Sequence, residues 1–228
     1  MFSTTVRICD HSFLPRLIRP GAIVVDLGAY DGDFAHAMIQ RFRCKVISVE
    51  AVEAICARTP QHPLLETHHL ALGGRNQTIR MNLFATRCAS ALHAGLGVED
   101  ASVESVEMVT LGEFLRRAKV DHVDLLKLDI EGAEIDMFNS AHDRDLQSAV
   151  QITAEFHDFI YPELAPAVAR IRERMSDIGF WVLPFSLDNT DVLFLNKQSE
   201  VSAAEVAYMR SFVRYGQGIV RRLRRLAS

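Results

Sequence analysis

A run of apolar residues that breaks into glycines and acids constrains this chain more than any other feature. Residues 23–34 read Ile23-Val24-Val25-Asp26-Leu27-Gly28-Ala29-Tyr30-Asp31-Gly32-Asp33-Phe34. An apolar run unrelieved by polar alternation suits a strand buried on both faces, as in a parallel sheet covered by helices. The glycines mark a tight turn, and Phe34, Ala37, Met38 and Phe42 follow at helical spacing. Strand, glycine loop and helix together predict the first unit of a nucleotide-binding α/β sheet. Gly28 and Gly32 stand as Gly-x-x-x-Gly, not in the Gly-x-Gly-x-x-Gly spacing that lets a backbone close on a pyrophosphate. Asp26, Asp31 and Asp33 suit the positive end of a helix but would repel a phosphate there. The expected ligand is a nucleoside with a cationic or zwitterionic tail.

The rest of the chain alternates in kind. Strands are expected at 22–27, 45–50, 64–72, 123–128, 150–156, 179–183 and 191–195, and helices at 34–41, 52–58, 131–140 and 163–178. Such alternation predicts an α/β fold with a doubly wound, mostly parallel sheet. Residues 78–84 and 105–109 alternate polar with apolar, which suits an added antiparallel pair, and 87–100 between them reads as a loop. Thr110-Leu111-Gly112-Glu113 resembles a capping box opening a helix to Lys119. A length of 228 residues favours one domain, placed at 1–198, followed by a basic C-terminal helical extension at 199–228.

Charge and cysteine content narrow the partners. A net charge of −4 gives no reason to expect nucleic acid. Cys9, Cys44, Cys56 and Cys88 form no Cys-x-x-Cys pair and read as reduced thiols of a cytoplasmic protein. No secretory leader is expected in the first residues, and no segment is apolar enough to cross a bilayer. After Glu205 the acids stop, and Arg210, Arg214, Arg221, Arg222, Arg224 and Arg225 interleave with Phe212, Val213, Ile219, Val220, Leu223 and Leu226. A basic amphipathic segment can make a peripheral contact with an anionic membrane or a protein, or simply cover a sheet edge. Nothing in the sequence sets the oligomeric state.

Three constellations carry chemistry. Glu50 ends the strand Val46-Ile47-Ser48-Val49, about 20 residues past the glycine loop, where an acid accepts from ribose hydroxyls. In Leu126-Lys127-Leu128-Asp129-Ile130-Glu131-Gly132-Ala133-Glu134, Lys127 and Asp129 lie two apart and share one face of a strand. Charges there are costly unless paired, so they form either a structural ion pair or the wall of a crevice at the strand ends. The next strand ends in Glu155-Phe156-His157-Asp158, and His157 is a candidate proton acceptor. His68 and His69 fall within a strand, and His93 lies in the loop. No cysteine and histidine share zinc spacing, whereas Asp129, Glu131 and Asp158 leave a divalent ion conceivable.

Asp26-Leu27-Gly28-Ala29-x-x-Gly32, Val49-Glu50, Ala71-Leu72-Gly73, the Leu126–Glu134 run and Glu155-Phe156-His157 resemble the FkbM-type methyltransferase domain over roughly residues 20 to 196. The resemblance implies a Rossmann-like class I sheet with a final antiparallel strand, S-adenosylmethionine as cofactor, and methylation of hydroxyl oxygens on sugars, glycans or other natural products. It assigns Asp26, Gly28, Ala29, Tyr30 and Gly32 to the loop that holds the methionine end. Glu50 would take the ribose, and Ala51, Ala71 and Leu72 would lie near the adenine. Asp129 and Glu131 would border the transfer site, with His157 nearby. Tyr30 stands where this loop commonly has asparagine, and Ala51-Val52 where a proline often follows the acid.

The chemistry expected is in-line displacement at the sulfonium methyl by an acceptor hydroxyl, with His157 first and then Asp129 or Glu131 as base. Two rival readings remain: a binding or scaffolding module without turnover, and a nicotinamide-dependent oxidoreductase, against which the missing Gly-x-Gly-x-x-Gly counts.

Overall fold

The computed structural model describes residues 5–83 and 102–211. The elements run β1 (Val6–Ile8), β2 (His11–Phe13), β3 (Ile23–Leu27), α1 (Asp33–Phe42), β4 (Lys45–Glu50), α2 (Glu53–Cys56), β5 (Leu65–His69), β6 (Ala71–Leu72), β7 (Gln77–Leu83), β8 (Ser102–Val109) and α3 (Leu111–Ala118). There follow β9 (Leu125–Leu128), α4 (Glu134–Ser140), α5 (Asp143–Gln147), β10 (Gln151–Ala154), α6 (Ala165–Asp177), β11 (Phe180–Pro184) and β12 (Val192–Asn196). A seven-stranded sheet has the order β11-β12-β10-β9-β3-β4-β5. β5, β4, β3, β9 and β10 pair in parallel, and β12 returns antiparallel to β10. This is the expected doubly wound Rossmann-like sheet with a final antiparallel strand.

Burial follows the two-residue strand repeat. Val25, Leu27, Ile47, Val49, Leu126 and Leu128 join one core with Phe114 of α3, Phe138 of α4 and Met175 of α6. Val24, Val46, Leu125, Leu193 and Leu195 face the other core, against Phe34 and Met38 of α1. Each such large side chain contributes about 1.5–3 kcal/mol on burial. The second face is completed by segments at the two ends of the described chain: Phe13, Leu14, Leu17 and Ile18 on one side and Val201, Val206 and Met209 on the other. The described part of the basic extension, 199–211, is tied down further by the Arg16–Glu205 ion pair at 3.1 Å. Residues 212–228, with most of the arginines singled out above, lie outside the described residues, as do His93, Cys88 and the 87–100 loop.

The structure adds the unexpected short helix α5 and departs from the expected elements elsewhere too. The strand expected at 64–72 is two: β5 ends at His69, Leu70 donates its N–H to the Glu50 carbonyl, and β6 leaves the large sheet to pair with β8. β6, β8 and β7 thus form a separate three-stranded sheet around the expected antiparallel pair. The helix expected from 131 begins at Glu134, because Glu131 (φ 54°) and Gly132 (φ 99°) are left-handed. Finally, β1 and β2 form an unexpected hairpin turning on Cys9 (φ 43°) and Asp10 (φ 66°), a paired left-handed turn whose usual Asn-Gly or Asp-Gly signature is absent here. The capping box holds in part: Thr110 Oγ1 accepts from the Glu113 N–H at 3.4 Å, while the Glu113 carboxylate turns to Arg116 and Arg117.

Candidate active site

The carboxyl ends of β3, β4 and β9 open on a cavity of about 350 Å³, within the size of small-ligand sites, roughly 300–1,000 Å³. Its floor is the turn after β3. Gly28 has φ +80°, and a Cβ there would stand 1.7 Å from the Asp129 carbonyl oxygen. Only glycine lets the loop pass so close to the end of β9. Tyr30 is also left-handed, at φ 50°, a conformation that favours asparagine among side-chain-bearing residues. Its N–H donates to Glu50 Oε2 at 2.8 Å, and the Val52 N–H donates to Oε1 at 2.9 Å. One carboxylate therefore ties the two ligand-facing loops together. Burial raises the pKa of Glu50, against the opposing effect of these backbone bonds. Each oxygen keeps a second lone pair, so the group can still accept from a diol.

The apolar end of the cavity is built by Val49, Ala51, Val52, Ile55, Leu70, Ala71 and Leu72, and is closed by Ile79, Met81 and Met108 of the small sheet. Sequence reading missed this last trio, because nothing local in an alternating strand says what its apolar face will cover. The polar end is formed by Asp129, Ile130 and Glu131.

Of the residues expected to hold a cofactor, Gly28, Tyr30, Glu50, Ala51, Ala71, Leu72 and Asp129 line this cavity, and Asp26, Ala29 and Gly32 do not. Asp26 is fully buried beneath the loop and pairs with Lys127 directly across β3 and β9, Nζ to Oδ1 at 3.1 Å. Lys127 also donates to the Gly28 carbonyl at 2.5 Å and lies 3.7 Å from Asp129 Oδ2. Burial works against this ammonium, but Asp26 and then Asp129 hold its pKa above that of a free lysine. Asp26 is thus a positioning residue: it keeps Lys127 charged, and Lys127 holds the turn. The Ala29 N–H is taken by the Val49 carbonyl, and Gly32 gives α1 its left-handed start.

His157 does not fit the role of base. Its Nε2 is 3.3 Å from Glu131 Oε2 and its Nδ1 3.2 Å from Glu134 Oε1. Burial opposes its charge, yet Glu131 and Glu134 outweigh that and push its pKa up to about 10. At neutral pH the ring already carries the proton it was expected to accept. Glu134, buried, accepts the N–H groups of Ile130 and Gly132 as well, so His157 and Glu134 brace the turn that carries Glu131. The folded pKa exceeds the ordinary value near 6.5, so this stabilisation is complete below pH 6.5 and is lost as pH rises through about 10. The thermal midpoint is expected to fall over that window in the wild type and to fall much less in His157→Gln. Equal slopes in a melting series would show that the ring is not charged in the folded state.

Asp129, at the polar end, has Glu155 beside it. Burial would raise the pKa of Asp129, but His11 and Lys127 hold it down to about 2. Burial, and then the Asp129 charge, push Glu155 up to about 7. Asp158 does not join Asp129 and Glu131 in a group of ligand atoms among the described residues, so the carboxylate trio conceivable for a divalent ion is not assembled. Its Oδ2 instead accepts from Asn189 at 2.9 Å.

Fold and site together define a Rossmann-like α/β protein with a cavity, acidic at one end, at the carboxyl ends of its parallel strands. The methyltransferase FkbM domain matches residues 26–182, and the chain belongs to that family. It is a methyltransferase by class. No curated protein matches it. Among solved structures it is similar to TrmK of M. capricolum, determined in complex with the cofactor product S-adenosyl-homocysteine; identity is 10%, the TM-score 0.46, and the alignment covers 85% of this chain and 71% of that one. It is also similar to a fibrillarin/Nop5p complex (11% identity, TM-score 0.42, 77% and 72% covered). The bifunctional kinase-methyltransferase WbdD is a third (11%, 0.43, 79% and 36%).

Proposed function

We propose that this protein transfers the methyl group of S-adenosylmethionine to a hydroxyl oxygen of a sugar, glycan or similar small molecule. The observation that carries this reading is the polarity of the cavity: an apolar slot beside Glu50 at one end and Asp129 with Glu131 at the other. The slot suits an adenine, Glu50 a ribose diol, and the acidic end a cationic sulfonium with its ammonium tail. The bound cofactor supplies a methyl carbon already activated by its positive sulfur. What the chain must add is alignment of acceptor oxygen, carbon and sulfur, and exclusion of water as a rival acceptor. The acceptor's proton passes to the carboxylates at the ends of β9 and β10 or to water, since His157 is already charged. An acidic mouth also disfavours a phosphate-rich acceptor such as nucleic acid.

Isothermal titration with S-adenosylmethionine and, separately, S-adenosyl-homocysteine tests the reading. Binding with a Kd on the order of 1–100 μM is expected for both, followed by a methyl-sized mass gain on a hydroxylated acceptor. A folded protein that binds neither ligand would overturn it, and binding without transfer to any acceptor would favour the scaffolding alternative. Among the described residues, no helix is long and apolar enough to cross a membrane.

A further inference from the structure

The polar end of the cavity backs onto a group that the cofactor leaves unused. His11, on β2, is 1% exposed, and its Nε2 is buried with no hydrogen-bond partner among the described residues. Nδ1 faces Thr153 Oγ1 at 3.5 Å, so the neutral ring with its proton on Nδ1 would offer its Nε2 lone pair to a cation. Nε2 faces Asp129 Oδ2 at 3.7 Å, an ion pair while the ring is protonated and a contact that a bound cation would replace. Glu155, just past β10, completes the set: one ligand atom each from His11, Asp129 and Glu155 lie within 4.8 Å of one another.

The fold works to put the histidine there. The Ser12 N–H and hydroxyl donate to Asp191 at 3.0 and 2.6 Å, both buried. The Leu14 N–H donates to Gln151 Oε1 at 2.9 Å, and Gln151 Nε2 returns a bond to the Leu14 carbonyl at 3.2 Å. These buried bonds clasp the end of the β1–β2 hairpin, beginning one residue after His11, to β10 and the start of β12. The hairpin lies before residue 26, outside the residues 26–182 that the family match covers.

We propose that His11 Nε2, Asp129 and Glu155 bind one divalent first-row cation, of the manganese or zinc kind. One imidazole with two carboxylates is a mixed nitrogen–oxygen set that such ions accept and that magnesium favours less. Ligands on one ion at about 2.0–2.2 Å stand roughly 3–4.4 Å apart, and the His11–Asp129 separation of 3.7 Å falls in that range. The nearby cations have carboxylate partners of their own: Lys127 on Asp26 at 3.1 Å and, more distantly, on Asp129 at 3.7 Å, and His157 on Glu131 and Glu134. Asp129, Glu134 and His157 also cluster, but Glu134 Oε1 is occupied by two backbone N–H groups.

The role of the ion rests on the methyl-transfer reading above. Three protein ligands leave coordination positions for the acceptor. An acceptor hydroxyl bonded there loses its proton to water more readily. Its oxygen lone pair then forms the O–CH3 bond while the C–S pair returns to sulfur, giving methyl ether and neutral thioether. Where the ion is more than four-coordinate, a second open position favours an acceptor that offers a second oxygen beside the first, a vicinal diol or a hydroxy acid.

Chelator-stripped full-length protein, free of cofactor and acceptor, is titrated with Mn2+ followed by electron paramagnetic resonance, and with Zn2+ by calorimetry. One ion per chain is expected, weakened at least about tenfold in His11→Asn and in Glu155→Gln and unchanged in His122→Ala. Melting curves establish that each variant is folded, and Glu155→Gln, partly buried and near-isosteric, serves if His11→Asn is not. Absence of Mn2+ and Zn2+ binding to folded wild type up to about 1 mM, or binding that both variants retain, overturns the proposal. S-adenosylmethionine titrated into the same metal-free samples reports on the cofactor reading separately.

Discussion

Gly28→Ala is expected to lower the thermal midpoint by roughly 10 °C and to abolish cofactor binding. The left-handed φ of +80° costs a side chain about 1–2 kcal/mol. The added Cβ also meets the Asp129 carbonyl at 1.7 Å, a contact with backbone that cannot turn aside. Overpacking of this kind adds about 1–3 kcal/mol or more, and a chain of this length loses about 2–4 °C per kcal/mol. Gly21→Ala separates the two causes, since Gly21 has φ +83° and nothing within 4 Å of its would-be Cβ. It should show the conformational cost alone. If the two variants melt alike, the approach of β9 to the glycine loop is not the constraint described here.

Glu50→Ala is expected to weaken S-adenosylmethionine binding by two to three orders of magnitude. The substitution removes the acceptor facing the cavity and frees the N–H groups of Tyr30 and Val52. A hydrogen bond to a charged group contributes about 1.5–3 kcal/mol, and each 1.4 kcal/mol is tenfold in Kd. Glu50→Gln should fall between, because its amide keeps one acceptor oxygen and turns an N–H2 toward the other backbone donor. It also removes a carboxylate that burial disfavours, so its melting temperature should suffer less than its affinity. Calorimetric titration of the three proteins decides the matter. Undiminished affinity in Glu50→Ala would detach this residue from the ligand.

The elements that sequence reading found most securely are those whose signal is local. The β3 run, the glycine turn, Glu50 at the end of β4 and the shared face of Lys127 and Asp129 all follow from a period of two or from neighbours a few residues apart. The misses have the opposite character. The small sheet takes β6 from the expected third strand through pairing with β8, Ala71 with Met108 and Leu72 with Val109. The start of α4 is delayed by two left-handed residues, of which only Gly132 advertises itself. The β1–β2 hairpin turns on Cys9 and Asp10, which carry no standard turn signature.

Charge states divide the same way. That His157 stands near Glu131 follows from the topology of adjacent parallel strands. That it lies between Glu131 and Glu134, and so keeps its proton to about pH 10, needs the turn geometry. Asp26 looks in sequence like a ligand for the cofactor, and its position directly opposite Lys127 makes it the buried anchor of the loop instead. Periodicity and turn chemistry are written within a few residues, and they specify a parallel sheet, a ligand crevice at its carboxyl ends and the acids that border it. Which distant groups meet there is set by strand order and packing: His11 against Asp129 and Glu155, and Met81 and Met108 over the slot. Burial and neighbouring charge then determine which of the acids and bases can act.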